Sequence, residues 1–197
     1  RDWSSDVCSS DLQRVWFNDG AMAKLEIEPV LCLRDNYAYL VYDRTDGVCG
    51  VVDPSEPEPV KRALAAHGLA LTHIFNTHHH NDHVGGNLAL KEFSGAKVVG
   101  PEKDAARIPG IDIGVNEGET FKLGSHGARV LEIPAHTRQH IAFWFEADRA
   151  VFTGDTLFAM GCGRLFEGDP PTMWSSLSKL MKLRSEEHTS ELQSRLH

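Results

Sequence analysis

Thr77-His78-His79-His80-Asn81-Asp82-His83 follows directly on the apolar run Leu71-Thr72-His73-Ile74-Phe75-Asn76. Histidines and a carboxylate crowd together where a β-strand should open into a loop. Imidazole and carboxylate are common ligands of zinc and of divalent iron. Side chains alternate along an extended segment, so His78 and His80 point the same way. A helical turn after them would swing Asp82 and His83 round to a second ion beside the first. Val84-Gly85-Gly86-Asn87 supports that turn, because glycines let backbone crowd against a metal site. A solvated histidine loop is the bland alternative. An internal triplet behind a buried-looking strand, with an acid at the second-ion position, points to metal.

The rest of the composition narrows the class. A chain of 197 residues, 41% hydrophobic and 24% charged, suits one soluble domain with a sizeable core. A formal net charge of −8 gives no support to nucleic acid or an anionic membrane as partner. No apolar run approaches the roughly 20 residues of a membrane helix. The N-terminus is polar, serine-rich and acidic, unlike a secretory signal. Cys8, Cys32, Cys49 and Cys162 are scattered without a disulfide framework, which fits a reducing, cytoplasmic setting. The chain is expected to act as a monomer.

Both ends read as foreign. Asp2-Trp3-Ser4-Ser5-Asp6-Val7-Cys8-Ser9-Ser10-Asp11-Leu12 resembles the translation of a sequencing adapter. Arg184-Ser185-Glu186-Glu187-His188-Thr189-Ser190-Glu191-Leu192-Gln193-Ser194 resembles the translation of its reverse complement. The expected organisation is an adapter-like tail over 1–12, a non-native segment over 13–21, one natural domain over 22–183 that is cut short, and a second adapter-like tail over 184–197. Such segments are set aside in fold reasoning. Met22 is then the expected start, and Cys8 leaves the cysteine count.

Within 22–183 the strand signals come in two groups. Leu25–Val30 alternates like an edge strand, and Tyr37–Tyr42 and Val48–Val52 flank a hairpin turn at Asp43–Gly47. Pro54–Pro59 opens a helix that continues over Val60–His67 and stops at Gly68. The fourth strand leads into the histidine segment, and Asn87–Phe93 reads as a helix. Ala96–Val99, Thr120–Leu123, Ala128–Ile133, Ile141–Phe145 and Ala150–Phe152 read as strands. Pro170–Leu183 reads as a helix with Asp169 as its N-cap. The pattern predicts an α/β sandwich with the sheets inside.

Two later stretches complete the candidate site. Ile133-Pro134-Ala135-His136-Thr137-Arg138-Gln139-His140 closes a strand, and Phe152-Thr153-Gly154-Asp155-Thr156-Leu157-Phe158 sets an aspartate on a glycine turn at another strand end. A lone strand-end aspartate is usually a turn residue or a helix cap. In this order after H-x-H-x-D-H, the set resembles the metallo-β-lactamase superfamily over essentially all of 22–183. Gly161-Cys162-Gly163-Arg164-Leu165-Phe166-Glu167-Gly168, Asp35-Asn36-Tyr37-Ala38-Tyr39-Leu40 and Val52-Asp53-Pro54 resemble its glyoxalase II, or hydroxyacylglutathione hydrolase, branch.

That resemblance implies an αββα sandwich, incomplete at its C-terminal end, and a catalytic domain over 22–183. It implies two divalent ions, zinc first with iron or manganese as alternatives. His78, His80 and His136 would hold one ion, and Asp82 and His83 the other, with Asp155 bridging. His79 falls in the variable slot as a non-ligand, and His140 orients the loop. His67, His73 and His126 match no motif position. Arg164 and Phe166 fall where the family contacts glutathione, although Arg164 could equally be a plain surface charge. The implied reaction is attack of a metal-activated water, positioned by Asp82 and Asp155, on a glutathione thioester such as S-D-lactoylglutathione. The products are a 2-hydroxy acid and glutathione, the second step of methylglyoxal detoxification.

The chain departs from the family at Ala135 and Gln139, where glycine is general; Ala135 reads as a small change, while Gln139 is expected to stiffen or shift the loop bearing His136. The family's seventh ligand, a histidine on a later strand, and a helical substrate domain fall beyond Leu183. His188 and His197 sit in or past the adapter-like tail and do not replace that ligand. Loss of the following strand is expected to leave a sheet edge open. Two other readings stand: a mononuclear iron persulfide dioxygenase on the same scaffold, which generally carries Thr-Asp after Gly163-Arg164 rather than Leu165-Phe166, and an inactive truncated fragment.

Overall fold

The computed structural model describes residues 24–183 and the pair Thr189–Ser190. The expected tail 1–12, the segment 13–21, Cys8, Met22, His188 and His197 lie outside the described residues, as does the rest of 184–197.

The chain runs β1 (Glu26–Cys32), β2 (Asn36–Asp43), β3 (Val48–Val52), α1 (Pro57–His67), β4 (His73–Phe75), α2 (Asn81–Val84), α3 (Asn87–Ser94) and β5 (Lys97–Pro101). A 3₁₀ turn at Glu102–Arg107 leads to β6 (Ile111–Val115), β7 (Thr120–Leu123), β8 (His126–Glu132), β9 (Ile141–Phe145) and β10 (Ala150–Phe152). A second 3₁₀ turn at Gly154–Thr156 precedes α4 (Pro170–Leu180) and β11 (Thr189–Ser190). The first sheet has the order β1-β2-β3-β4-β5-β6, antiparallel up to β3 and parallel from β3 onward. The second has the order β11-β10-β9-β8-β7, antiparallel except where β11 joins β10.

Period-two alternation builds the layers. In β2, Tyr39 and Val41 face the core between the sheets, while Ala38, Leu40 and Tyr42 face the helices. Phe75 and Val99 go inward as their neighbours Ile74 and Val98 pack under Val60 and Leu64 of α1 and Leu90 of α3. The second sheet answers with Val130, Ile141, Phe143, Phe145 and Phe152. Its outer face, through Leu131, Ala142 and Val151, packs on Leu180 of α4. Helix, sheet, sheet, helix is the resulting order. Each fully buried phenylalanine contributes about 1.5–3 kcal/mol, so the aromatic inter-sheet layer is the main stabilising body. Among the described residues no helix is long and apolar enough to cross a membrane.

Helix boundaries follow their signals. Gly68 closes α1 at φ 63°, its N–H reaching the carbonyls of Leu64 and Ala65. Asp169 caps α4 by accepting from the Thr172 N–H at 2.9 Å. Three features differ from the sequence expectation. Helix α4 stops at Leu180, with Met181 as its C-cap, rather than at Leu183. The 3₁₀ turn and β6 fill a stretch for which no element was expected. The outer edge of β10 is not left open: Thr189 and Ser190, within the stretch 184–197 expected to be foreign, pair with Ala150 and Val151. An exposed edge offers its N–H and C=O groups to any extended segment that reaches it.

Candidate metal centre

The candidate donors sit just past the carboxyl ends of strands from both sheets. Asp53 follows β3, His78 follows β4, His136 follows β8 and Asp155 follows β10. Backbone bonds carry the ladders out to them: Asp53 N–H donates to the Phe75 carbonyl and Asn76 N–H to that of Val99, both at 2.8 Å. Ile141 N–H of β9 donates to the Thr77 carbonyl at 3.0 Å, stitching the second sheet to the histidine segment of the first.

His78, His80 and His136 bring one ring nitrogen each to within 4.8 Å of one another. His80 Nδ1 lies 3.2 Å from His78 Nε2 and 3.0 Å from His136 Nε2. Nitrogens four-coordinated to zinc at about 2.0–2.1 Å would stand roughly 3.3 Å apart, so the trio has the spacing of a ligand set. The outer nitrogens are committed elsewhere. Thr77 Oγ1 donates to Asp53 Oδ2 at 2.6 Å and stands 3.0 Å from His78 Nδ1, so it accepts from that ring. His136 Nδ1 donates to the Arg164 carbonyl at 2.7 Å. Each bond leaves the inner lone pair of its ring turned into the cluster. Burial and then the neighbouring histidines hold His78 well below the ordinary histidine range, and burial followed by His136 brings His80 to about 4. Burial lowers His136 as well, so all three rings favour the uncharged form that coordinates a metal.

The second group gathers round His83, which is wholly buried. Its Nε2 lies 3.2 Å from Asp155 Oδ1 and 3.6 Å from Asp82 Oδ2. The other oxygen of Asp155 lies 3.3 Å from His136 Nε2. One carboxylate thus offers an oxygen to each group. Burial disfavours charge on His83, but Asp53 and Asp155 outweigh it and hold the ring at about 10. Burial pushes Asp155 up, yet the His83 hydrogen bond and the surrounding histidines bring it below the ordinary carboxylate range.

All six expected ligands, His78, His80, Asp82, His83, His136 and Asp155, come together in this cluster. Asp82 and His80 are the two that are only partly buried, and Asp82 Oδ2 accepts from Asn36 Nδ2 at 3.1 Å. His140 Nε2 accepts from the Asp155 N–H at 3.2 Å. Gly154 makes that possible at φ 48°, where a Cβ would fall 2.8 Å from the His140 ring. His79 turns away from the cluster to Asp104. Phe166 lies 5.4 Å from the His80 ring and 5.3 Å from that of His136, with the Arg164 guanidinium 5.5 Å from its own ring centre.

Two readings change. Gly85 and Gly86 do not crowd a metal site; a Cβ on either would meet the Ser55 or Pro54 carbonyl at 2.5 and 2.8 Å, so they admit the turn after β3. Ala135 is not a small departure, because it is fully buried at φ 136°, a conformation natural to the glycine general in the family. Asp53 was missed as a functional residue. It accepts from Thr77 N–H at 2.8 Å and stands 3.1 Å from His83 Nδ1. Asp53 joins His78 and His83 in a tight donor group, but it occupies the His83 nitrogen opposite the one facing Asp155, so it orients that ring. A buried-looking strand ending in aspartate was the available signal.

The metallo-beta-lactamase superfamily profile matches residues 33–187. A hydroxyacylglutathione hydrolase of Methylococcus capsulatus is 54% identical over 162 residues, covering 82% of this chain and 63% of that protein. The chain thus spans 63% of that curated relative's length. The crystal structure of ETHE1 from Myxococcus xanthus is 31% identical with a TM-score of 0.70, covering 79% of this chain and 69% of that one. TTHA1623, solved in a di-iron-bound form, is 29% identical with a TM-score of 0.68, covering 81% and 88%. Profile, fold and a histidine–aspartate cluster suited to divalent ions agree: the chain belongs to the metallo-beta-lactamase superfamily.

Proposed function

We propose that this chain is the catalytic portion of a thioester hydrolase of the glyoxalase II type, cleaving S-(2-hydroxyacyl)glutathione to a 2-hydroxy acid and glutathione. The observation that carries the reading is Asp155, with one oxygen toward His136 and the other toward His83. His78, His80 and His136 would hold one ion, and His83 and Asp82 the other, with Asp155 between. Divalent ions so held lower the pKa of a bound water and polarise a carbonyl. Zinc fits this nitrogen–oxygen set best, with iron and manganese also compatible.

The protein's own part is placement. Asp53 and the Arg164 carbonyl fix the rings of His83 and His136, and Asp155 sets the spacing of the two donor groups. Phe166 walls the open side beside His80, and Arg164 offers a cation to a glutathione carboxylate. A thiolate leaves readily, so no separate general acid is required. The 54% identity to a protein named hydroxyacylglutathione hydrolase supports this reading. Cys32, Cys49 and Cys162 are free thiols at scattered positions, which is consistent with a reducing, cytoplasmic setting.

Incubation of the uninterrupted gene product with S-D-lactoylglutathione tests the proposal. Release of free thiol that stops with chelator and returns with added metal is expected. One iron per chain with oxygen uptake and sulfite formation would instead favour the dioxygenase reading, and no metal-dependent thioester cleavage would sink the hydrolase.

A further inference from the structure

The 3₁₀ turn Glu102–Arg107 and the loop 161–168 are far apart in sequence, yet one side chain joins them. Arg107 Nη1 lies 2.5 Å from Glu167 Oε1, and its Nη2 lies 3.3 Å from Oε2, a two-pronged pair. Arg107 is itself anchored on the opposite side. Its Nε meets the buried Asp104 at 2.5 Å, and Nη1 also donates to His79 Nε2 at 3.1 Å. His79 Nδ1 in turn donates to Asp104 Oδ2 at 2.9 Å. A closed ring of His79, Asp104 and Arg107 thus ends in Glu167.

Glu167 then ties into the site from the other side, accepting from the Arg138 N–H at 2.7 Å. Its neighbour Phe166 donates its N–H to the His136 carbonyl at 3.3 Å. The same loop supplies the Arg164 carbonyl that fixes the His136 ring, and the Gly163 N–H that donates to the Asp155 carbonyl at 2.8 Å. The loop has little apolar anchorage of its own: Leu165 and Phe166 are exposed. Something other than burial must hold it in register.

We propose that Arg107 and Glu167 are positioning residues, a clamp that holds the loop 161–168 against the donor cluster and so fixes the His136 ring. The inference rests on the reading of His136 as a ligand only for its effect on metal. The hold on the loop stands independently. His79, next to His78 and His80 in sequence, is the other foot of the clamp, which explains a third histidine that faces away from the cluster.

The experiment compares Arg107→Ala, Glu167→Gln and the double variant with the parent, as full chains. Amide hydrogen exchange on metal-free protein reads the loop directly. The Gly163 and Phe166 amides should exchange about fivefold faster in each single variant, with no comparable change in the buried amides of β9. On zinc-loaded protein, release to a chelator should quicken about three- to tenfold, a step removed from direct loss of a ligand's partner. The double variant should fall short of the sum of the two single effects, because the Arg107–Glu167 pair is lost in both while the bonds of Arg107 to Asp104 and His79 and of Glu167 to the Arg138 N–H are not shared. Unchanged exchange at Gly163 and Phe166, or additive effects in the double variant, overturns the clamp. Failure of the parent to bind zinc would instead count against the metal-site reading, and the exchange result would still decide the clamp.

Discussion

Gly163→Ala isolates the contact between the loop 161–168 and the donor cluster. A Cβ there would fall on the Asp155 carbonyl oxygen and 2.7 Å from His136 Nδ1. Neither neighbour is the free end of a flexible side chain, so the loop must move. Overpacking of this kind costs about 1–3 kcal/mol. The bonds Gly163 N–H to Asp155 and His136 Nδ1 to Arg164 would be strained together, at about 0.5–1.5 kcal/mol each. The sum is roughly 2–6 kcal/mol, or a melting temperature lower by roughly 4–24 °C for a domain of this size. Loss of the partner that orients a ligating histidine should weaken metal binding about 10–100-fold. Gly161→Ala is the matched control, because nothing lies within 4 Å of its Cβ; it should stay within about 0.5 kcal/mol of the parent. Thermal melts with and without zinc, and competition against a chromophoric chelator, measure both effects. The reasoning fails if Gly163→Ala melts within about 2 °C of the parent with metal affinity intact, or if Gly161→Ala suffers equally.

Further outcomes follow from the same geometry. Asp155→Ala should lower occupancy of both ions together, whereas His83→Ala should empty mainly one, as metal analysis after gel filtration would show; equal stoichiometry in the two would refute the bridging role. Asp53→Ala removes the acceptor for Thr77 N–H, Thr77 Oγ1 and His83 Nδ1, and should cost about 2–4 kcal/mol in denaturant unfolding; a loss under about 0.5 kcal/mol would contradict it. His126 lies between Asp43 at 3.0 Å and Asp148 at 2.9 Å. Burial opposes its charge, but the two carboxylates outweigh it and raise the ring above the ordinary histidine value, while burial pushes Asp43 up and the His126 hydrogen bond brings it below the carboxylate value. The stability that His126 contributes is therefore full below about pH 6.5 and is lost as pH rises through the raised value. Asp43's contribution is lost at the other end, as pH falls through its lowered value. The stability gap between the parent and His126→Gln should shrink above about pH 6.5; a gap constant from pH 5.5 to 9 would contradict it.

Local signals were legible where both cause and effect lie close in sequence. The apolar run Tyr37–Tyr42 announced a strand, Gly68 announced the end of α1, and H-x-H-x-D-H announced the donors at the end of β4. Features that depend on distant partners were not. Asp53 acquires its role only when β3 lies beside β4 and brings it to Thr77 and His83. His126 looked unremarkable because Asp43 and Asp148 reach it from other strands and turns. Ala135 reads as a mild substitution until its backbone is seen at φ 136°. Strand β6 alternates Ile111, Ile113 and Val115, but Pro109-Gly110 and the short run hid it among turn residues.

The stitching of the two sheets has a consequence for how this protein would change over evolutionary time. His78 extends from the strand of Phe75, and Asp155 from the strand of Phe152, on opposite sides of the aromatic layer. Phe75 meets Phe143 at 5.1 Å between ring centres, and Phe143 pairs directly with Phe152. The interior aromatics therefore act as spacers between the two jaws of the donor set. Altering a spacer ring would change the gap at the strand ends without touching a ligand. Selection on metal preference could thus be written into the hydrophobic interior, and two relatives with identical ligands could differ in the ion they favour.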